Sequence, residues 1–196
     1  MPSLCKGDLA ARSYACAVKG PLYHKRPLFC SELKGERAMD KILDILLLLD
    51  PAMEALLSER GIGEDDIRPV VLHAEGNGVY LEHGNGHRLA CFTPAHVTFW
   101  VEYLPKGNGY RIFRAYTHRM KILQGFNMAS GKESPPIGWS CSPCGLPLEL
   151  AAVKLTYLGE TFVVDLPACP SCQRVLVSEE NAVTRMALAE QMLEDK

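Results

Sequence analysis

The stretch from Trp139 to Cys172 reads WSCSPCGLPLELAAVKLTYLGETFVVDLPACPSC. It contains two C-x-x-C pairs, Cys141 with Cys144 and Cys169 with Cys172, and 24 residues separate them. A tetrahedral zinc ion takes four ligands, with sulfur at about 2.3 Å, and each C-x-x-C turn supplies two of them. The intervening segment has the pattern of one hairpin, which brings the two turns together. We therefore predict that these four cysteines form a metal site.

The identity of the metal is open between two candidates, because an all-thiolate tetrahedral site suits both zinc and a single iron. The C-x-x-C-G and C-P-x-C turns are similar to rubredoxin knuckles, although Gln173 stands where a glycine usually follows the second turn. We expect structural zinc, with iron as the alternative and thiol–disulfide chemistry as a third reading. A segment of 58 residues, 139–196, has a small core of its own. A metal that supplies folding free energy is therefore expected.

The remainder of this segment predicts a short hairpin and a helix. Strands are expected on either side of Gly159, and Ser178 followed by Glu179 and Glu180 is typical of a helix N-terminus. The apolar residues of this helix share one face: Val183, Met186, Ala187, Ala189 and Leu193. These patterns predict a small zinc-ribbon-like or rubredoxin-like module with a C-terminal helix.

The middle of the chain has a β pattern. Aromatic and β-branched residues alternate in four segments separated by turn signals such as Gly84-Asn85-Gly86 and Gly107-Asn108-Gly109. The predicted strands are Val79–Glu82, Arg88–Phe92, His96–Tyr103 and Tyr110–His118. We predict an antiparallel meander.

Helical patterns precede the meander. Glu36–Leu49 carries apolar residues at spacings of three and four, and Ala52–Arg60 continues the pattern. Acidic residues from Glu64 onward suit a third helix start. Pro69 leaves two readings open, a helix that begins later or an extended Val70–His73.

The fold class expected from these patterns is α+β, with a helical segment and a β-meander followed by the four-cysteine module. The expected organisation is an irregular arm over 1–35, an α+β domain over 36–123, a linker over 124–138 and the metal module over 139–196.

Composition sets the broad class of protein. The chain has 196 residues, 47% of them hydrophobic and 22% charged, with a formal net charge of -2. This balance gives no global reason to expect nucleic acid or a membrane as a partner. The most apolar run, Ile42–Leu49, contains Asp44 and falls far short of the ~20 residues of a membrane span. We expect a cytoplasmic protein, in which cysteines are free thiols or metal ligands.

Other candidate residues give weaker signals. Cys5, Cys16 and Cys30 have no recognised ligand spacing, and Cys91 is expected to be a buried, inert thiol. A second metal site is conceivable from the cluster His73, Glu75, His83, His87 and His96, although exposed strand ends are the favoured reading. The basic stretch Arg111, Arg114, His118, Arg119 and Lys121 is expected on a solvated sheet face. No Ser/His/Asp or Cys/His pairing identifies a catalytic centre, which favours a non-enzymatic role.

The C-terminal segment resembles a family of small four-cysteine redox proteins of anaerobic bacteria. The resemblance rests on Trp139, the two C-x-x-C pairs, the run Val164-Asp165-Leu166-Pro167 and the closing Leu193-Glu194-Asp195-Lys196. That family is associated with molybdenum- or tungsten-dependent aldehyde oxidoreductases and with related flavin and iron–sulfur oxidoreductases. The resemblance implies an accessory role beside such an enzyme.

The middle of the chain is similar to an accessory domain of pyridine-nucleotide-dependent flavin/iron–sulfur oxidoreductases. The similarity rests on Gly63–Glu75, Val97–Tyr103 and His118–Lys121. Both resemblances imply a larger oxidoreductase as the partner. The leading hypothesis is thus a non-catalytic accessory or docking protein with a structural zinc-ribbon-like module. A rubredoxin-like iron electron carrier is one alternative. A nucleic-acid-binding zinc ribbon is another, disfavoured because residues 139–196 carry four basic and eight acidic side chains.

Overall fold

The computed structural model describes residues 45–126 and 138–195. The expected arm over 1–35, with Cys5, Cys16 and Cys30, lies outside the described residues, as do residues 127–137 of the expected linker. All the described residues belong to one compact unit.

The helices are α1 (Pro51–Glu59), α2 (Glu64–Asn77) and α3 (Ala187–Glu194), and a π-helical segment (Asn181–Met186) leads into α3. The strands are β1 (Leu46–Leu48), β2 (Leu81–His83), β3 (Arg88–Phe92), β4 (Thr98–Lys106), β5 (Gly109–His118), β6 (Lys121–Leu123), β7 (Trp139–Cys141), β8 (Leu146–Pro147), β9 (Glu149–Tyr157) and β10 (Glu160–Ala168). This mixture of helices and mainly antiparallel strands confirms the α+β class.

The strands form two sheets. One has seven strands in the order β1-β5-β4-β3-β2-β7-β8, and the other has three in the order β10-β9-β6. Strands β2 to β5 form the predicted antiparallel meander. Strands β9 and β10 form the hairpin expected between the cysteine pairs.

The helix predicted over Glu36–Leu49 is wrong in its described part. Residues 46–48 form β1, which runs parallel to β5 with Leu46 opposite Gly109. Ile45, Leu47 and Leu49 pack towards the helices, whereas Leu46 is exposed, so the run follows the period of a strand. A short run of leucines is compatible with the period of a helix or with that of a strand. Pairing with the free edge of β5 selects the strand. A Cβ on Gly109 would come within 2.7 Å of the Leu46 carbonyl oxygen, so glycine permits this pairing.

Of the two readings at Pro69, neither a late start nor an extended Val70–His73 is found. Helix α2 runs through Pro69, and its first turn is closed by Asp66, whose carboxylate accepts a hydrogen bond of 2.9 Å from the Gly63 amide. Pro69 removes one intrahelical donor. The buried face of the same helix outweighs that loss, because Ile67, Val70 and Val71 are fully enclosed.

Each face of the seven-stranded sheet covers its own core. Side chains alternate between the two faces along each strand. Ala90, Val101 and Ala115 face α1 and α2. Leu89, Trp100 and Tyr116 face the opposite side of the sheet. The second face is covered by the three-stranded sheet and the C-terminal helical segment, including Val153, Leu155, Leu166 and Met186. The first layer is therefore formed by α1 and α2, the second by the seven-stranded sheet, and the third by the three-stranded sheet together with the C-terminal helical segment.

The segments on either side of the expected linker share this second core. Strand β6 pairs with β9 in the three-stranded sheet, and β7 pairs with β2 in the seven-stranded sheet. The boundaries over 36–123 and 139–196 stay a prediction from sequence. Within the described residues, each segment contributes strands to a sheet that contains strands of the other.

Glu190 anchors α3 to the rest of the fold. Its side chain is buried, and Oε1 accepts hydrogen bonds from the backbone amides of Arg119 at 2.7 Å and Met120 at 2.8 Å. A buried carboxylate is stabilised by such N–H donors. The turn between β5 and β6 is thus held by a side chain that is about 70 residues away in sequence.

A strained residue closes the β9–β10 hairpin. Tyr157 pairs with Glu160, so the loop has two residues, Leu158 at φ 48° and Gly159 at φ 88°. Two positive φ angles define the turn that normally carries Asn-Gly or Asp-Gly. A leucine in the left-handed region costs about 1–2 kcal/mol. The fold itself offers Leu158 no compensating burial, since its side chain is 64% exposed.

Within residues 45–126 and 138–195, none of the helices is both long enough and apolar enough to cross a membrane.

His118 makes stability depend on pH. The residue is 3% exposed, and neither ring nitrogen has a hydrogen-bond partner of good geometry among the described residues. Burial lowers the pKa of His118 to about 4, with the Met120 backbone opposing the shift in part. Between this value and the ordinary pKa of 6.5, the unfolded chain binds a proton that the folded chain does not. The free energy of unfolding should fall as pH decreases through this window, by up to about 3 kcal/mol from this residue.

The test is equilibrium unfolding of the wild type and of His118→Leu from pH 7 to pH 4. Carboxylates titrate in the same window in both proteins, so the difference between the two curves isolates His118. We expect the wild type to lose more stability than the variant as pH falls. Equal pH slopes for the two proteins would contradict this account.

Candidate metal centre

The structure brings together the four cysteines that the sequence singles out. Each of Cys141, Cys144, Cys169 and Cys172 offers a sulfur, and the four atoms lie within 4.8 Å of one another. Cys141 Sγ and Cys172 Sγ are 3.6 Å apart. A tetrahedron with about 2.3 Å from metal to sulfur has edges of about 3.8 Å. A disulfide would need about 2.05 Å, so these two sulfurs are not bonded to each other, and their separation suits two ligands on one ion.

The first cysteine turn connects β7 to β8. Gly145 N–H donates to the Cys141 carbonyl at 2.8 Å, and Cys144 N–H donates to the same oxygen at 3.2 Å. Gly145 takes φ 65°, a left-handed conformation that glycine adopts without strain. The turn is attached to the residue that precedes β2, because Ser142 N–H donates to the Tyr80 carbonyl at 3.1 Å.

The second turn repeats this geometry without a glycine. Gln173 N–H donates to the Cys169 carbonyl at 2.9 Å, and Gln173 takes φ 58°. Its side chain compensates for the strain: Oε1 accepts from the Gly125 amide at 3.0 Å, and Nε2 donates to the Phe126 carbonyl at 3.0 Å. The residue that departs from the usual glycine therefore fastens the chain after β6 to the cysteine turn.

Backbone amides and burial act in opposite directions on the thiols. Burial opposes ionisation of Cys169, but the amides of Cys172 and Ser171 and hydrogen bonds from the thiols of Cys172 and Cys141 lower its pKa. Burial, with the neighbouring Cys172 thiol, raises the pKa of Cys141. Burial likewise raises the pKa of Cys172, against the Arg174 amide. Amides aimed at sulfur are what a metal-bound thiolate requires, because they stabilise its negative charge.

The four-cysteine centre lies at the edge of the core, with one side buried and the other side exposed to solvent. Cys141 and Cys169 are 0% exposed and belong to the core between the two sheets. Cys144 is half-buried and Cys172 is exposed. Cys141 also lies opposite Leu81 in the β2–β7 pair, and Cys169 follows directly after β10. One ligand therefore stands on each sheet.

The donor set fits a closed structural site. Four sulfurs complete a tetrahedron, whereas catalytic zinc sites keep one position open for water or substrate. Soft thiolate ligands suit zinc and iron and disfavour magnesium and calcium. The structure thus supports a metal site at these residues, while the choice between zinc and iron rests on the sequence argument.

The histidine cluster considered for a second metal is not brought together. Among the described residues, the cysteine group is the single set of three or more close ligand atoms. His73 packs on Phe92, and His87 Nδ1 lies 2.7 Å from Glu102 Oε1. The remaining members have separate partners or surroundings: Glu75 bonds to Arg88 and Tyr103, His83 lies 3.0 Å from Asn85, and His96 borders a surface cleft. A second site at these residues was therefore the wrong alternative.

Cys91 is a partly buried free thiol next to the core. Burial raises its pKa to about 11, and the positive charge of Arg174 opposes the shift. An un-ionised thiol is a poor nucleophile and a poor ligand. This agrees with the inert role expected from the sequence.

The predicted basic stretch is divided between different environments. Arg111, Arg114, Arg119 and Lys121 are exposed, whereas His118 is buried. Arg114 pairs with Glu102 and Glu179, and Arg119 pairs with Glu194. A solvated sheet face is therefore correct for Arg111, Arg114 and Lys121 and wrong for His118, and Arg119 is solvated in the turn between β5 and β6.

The comparisons with known proteins cover only the end of the chain. Residues 137–196 match the model of a family described as a domain of unknown function (DUF7479). The match covers under a third of the chain and contains all four cysteines. The comparison with curated proteins gave no match. The comparison with solved structures gave none either.

Gln173 provides a test of the second cysteine turn. Gln173→Ala removes two side-chain hydrogen bonds and leaves a strained residue, so we expect a loss of roughly 2 kcal/mol in the free energy of unfolding. Gln173→Gly loses the same hydrogen bonds but relieves the strain, so its loss should be smaller by about 1 kcal/mol. Urea unfolding of metal-loaded protein measures both. A glycine variant no more stable than the alanine variant would refute the strain argument.

Proposed function

We propose that this chain is a non-catalytic docking protein of a larger oxidoreductase, stabilised by a structural zinc ion on Cys141, Cys144, Cys169 and Cys172. The structural part of the proposal rests on the position of the four sulfur atoms. Two belong to the core between the sheets, and four thiolate ligands leave no open coordination position.

The docking half is supported by the C-terminal helical segment. Met186 and Ala182 face the core, whereas Leu188 is 59% exposed and Met192 is 63% exposed. Leu188 and Met192 are four residues apart, so they lie on one face of α3. Val183 is also exposed. Exposed apolar side chains gathered on one helix are typical of an interaction site.

An oxidoreductase as the partner follows from the resemblance of the C-terminal segment to small four-cysteine redox proteins. The enzyme would be of the molybdenum or tungsten type, or of the flavin and iron–sulfur type. The free thiols of the described cysteines agree with a reducing cytoplasm, where we place the protein.

A rubredoxin-like electron carrier is the second candidate, and one observation favours it. Cys172 is exposed, so an iron ion here would have a ligand at the surface, where an electron can be exchanged. The same four cysteines serve both candidates, and the metal content separates them.

The nucleic-acid-binding alternative is weakened by charge. Residues 139–196 carry twice as many acidic as basic side chains. Phosphate contacts need an excess of Lys and Arg on one face. Salt-sensitive binding to DNA or RNA would restore this alternative.

Metal content tests the structural proposal. We expect protein purified without oxygen to hold one zinc per chain and to show no visible absorption band, because zinc has a filled d shell. Cys169→Ser should lower both the zinc content and the thermal midpoint, since Cys169 is a buried ligand and carries the core contacts. Cys91→Ser is the control and should retain full zinc. One iron per chain with a reducible absorption band would select the electron carrier instead.

The exposed face of α3 tests the docking proposal. We expect the tagged chain, purified anaerobically, to retain a flavin, iron–sulfur, molybdenum or tungsten oxidoreductase subunit. The double variant Leu188→Gln with Met192→Gln should lose it while keeping the same unfolding midpoint, because both side chains are exposed. Val163→Thr, which alters a 63%-exposed apolar residue on β10, is the matched control and should retain the partner. Recovery of no oxidoreductase with the wild type would contradict the proposal.

A further inference from the structure

A surface cleft outside the metal centre has a basic lining. Its volume is about 400 Å³, and it lies between the turn that follows β5 and the tip of the β9–β10 hairpin. His96, Arg119 and Lys121 supply its basic groups, and residues 156–159 form the hairpin side. This volume is within the range of small-molecule sites.

Two of the lining residues already hold a carboxylate. The Arg119 guanidinium and the Tyr157 hydroxyl both donate to Oε1 of Glu194, which comes from the end of α3. These hydrogen bonds, first that of Tyr157 and then that of Arg119, lower the pKa of Glu194. The cleft therefore presents converging donors in an arrangement that accepts an oxyanion.

Basic side chains remain in the cleft after this pairing. Within the described residues, Lys121 and His96 have no ion-pair partner, and both are exposed. Two carboxylates contact the lining: Glu194 accepts from the side chains of Arg119 and Tyr157, and the buried Glu190 accepts from the backbone amide of Arg119. Among the described residues no carboxylate forms an ion pair with the exposed Lys121, and its free positive charge favours a ligand of negative charge.

The hairpin tip adds an apolar element at the same place. Leu158 lines the cleft, is 64% exposed and lies in the left-handed region. Asparagine or glycine would close this two-residue turn with less strain. Backbone strain that does not stabilise the fold is typical of residues that contact a ligand.

We propose that this cleft is a binding site for a small organic anion, a phosphate monoester or a carboxylate attached to an apolar body. The oxyanion lies against Arg119 and Lys121, and the apolar body packs on Leu158. Glu194 competes with the ligand for Arg119 and Tyr157. Its lining contains none of the four cysteines and neither Leu188 nor Met192.

The first test titrates the intact protein with phenyl phosphate and with inorganic phosphate by calorimetry. We expect phenyl phosphate to bind at least fivefold more tightly, because only it carries an apolar body. Lys121→Gln should weaken both probes at least fivefold, and Glu194→Gln should tighten both. Lys106→Gln, an exposed lysine in the β4–β5 hairpin outside the cleft lining, is the matched control and should bind like the wild type.

Leu158→Asn separates the ligand role from a purely structural one. It creates the turn sequence that this geometry favours, so the unfolding midpoint should rise by roughly 2–4 °C. The same variant should lose the preference for phenyl phosphate while binding inorganic phosphate unchanged. A more stable protein with weaker ligand binding is the result that supports the proposal.

Three results would overturn the proposal. The first is no binding of either probe at millimolar concentration. The second is a Lys121→Gln variant that binds like the wild type. The third is tighter, salt-sensitive binding of a short oligonucleotide than of phenyl phosphate, which would assign the cleft to a nucleic-acid backbone.

Discussion

Four sulfur atoms within 4.8 Å of one another, two of them fully buried, set the constraint that the packing of the two sheets depends on. Thiolates at this distance repel each other, and burial without a cation favours the protonated forms. A divalent cation offsets both penalties, because it attracts all four thiolates and coordinates their lone pairs. Cys141 ends β7 of the seven-stranded sheet, and Cys169 follows β10 of the three-stranded sheet. One ion bound by both residues would therefore cross-link the two layers.

In addition to the four cysteines, polar side chains join parts of the chain that are distant in sequence. Gln173 joins the second cysteine turn to the backbone after β6, and Glu190 joins α3 to the turn after β5. At the free edge of β5, Arg60 donates to the Ala115 carbonyl at 2.8 Å and pairs with Glu179 at 2.6 Å. Each contact joins segments more than 40 residues apart. The segment with the four cysteines is thereby fixed to the meander at several points outside the cysteine site.

Local patterns in the sequence were sufficient for the cysteine site, the meander and the hairpin, because ligand spacing, alternation and turn residues are short-range signals. The run at Leu46–Leu48 was predicted as a helix, since its true pairing depends on the edge of β5, about 60 residues later in the chain. The role of Gln173 was visible only as a missing glycine. Its partners Gly125 and Phe126 lie in the expected linker, and no local pattern predicts such a contact. The buried state of His118 was missed because the residue was grouped with the basic side chains of the same stretch, Arg111, Arg114, Arg119 and Lys121, which are exposed.

The claim that one metal ion holds the two sheets together is tested most directly by native-state hydrogen exchange, with metal bound and after its removal by a chelator. If the ion is the common cross-link, amide protection falls together in β2 and β3 of the large sheet and in β9 and β10 of the small one when the ion is removed. Protection that falls only in the two cysteine turns, with all four strands unchanged, would contradict it.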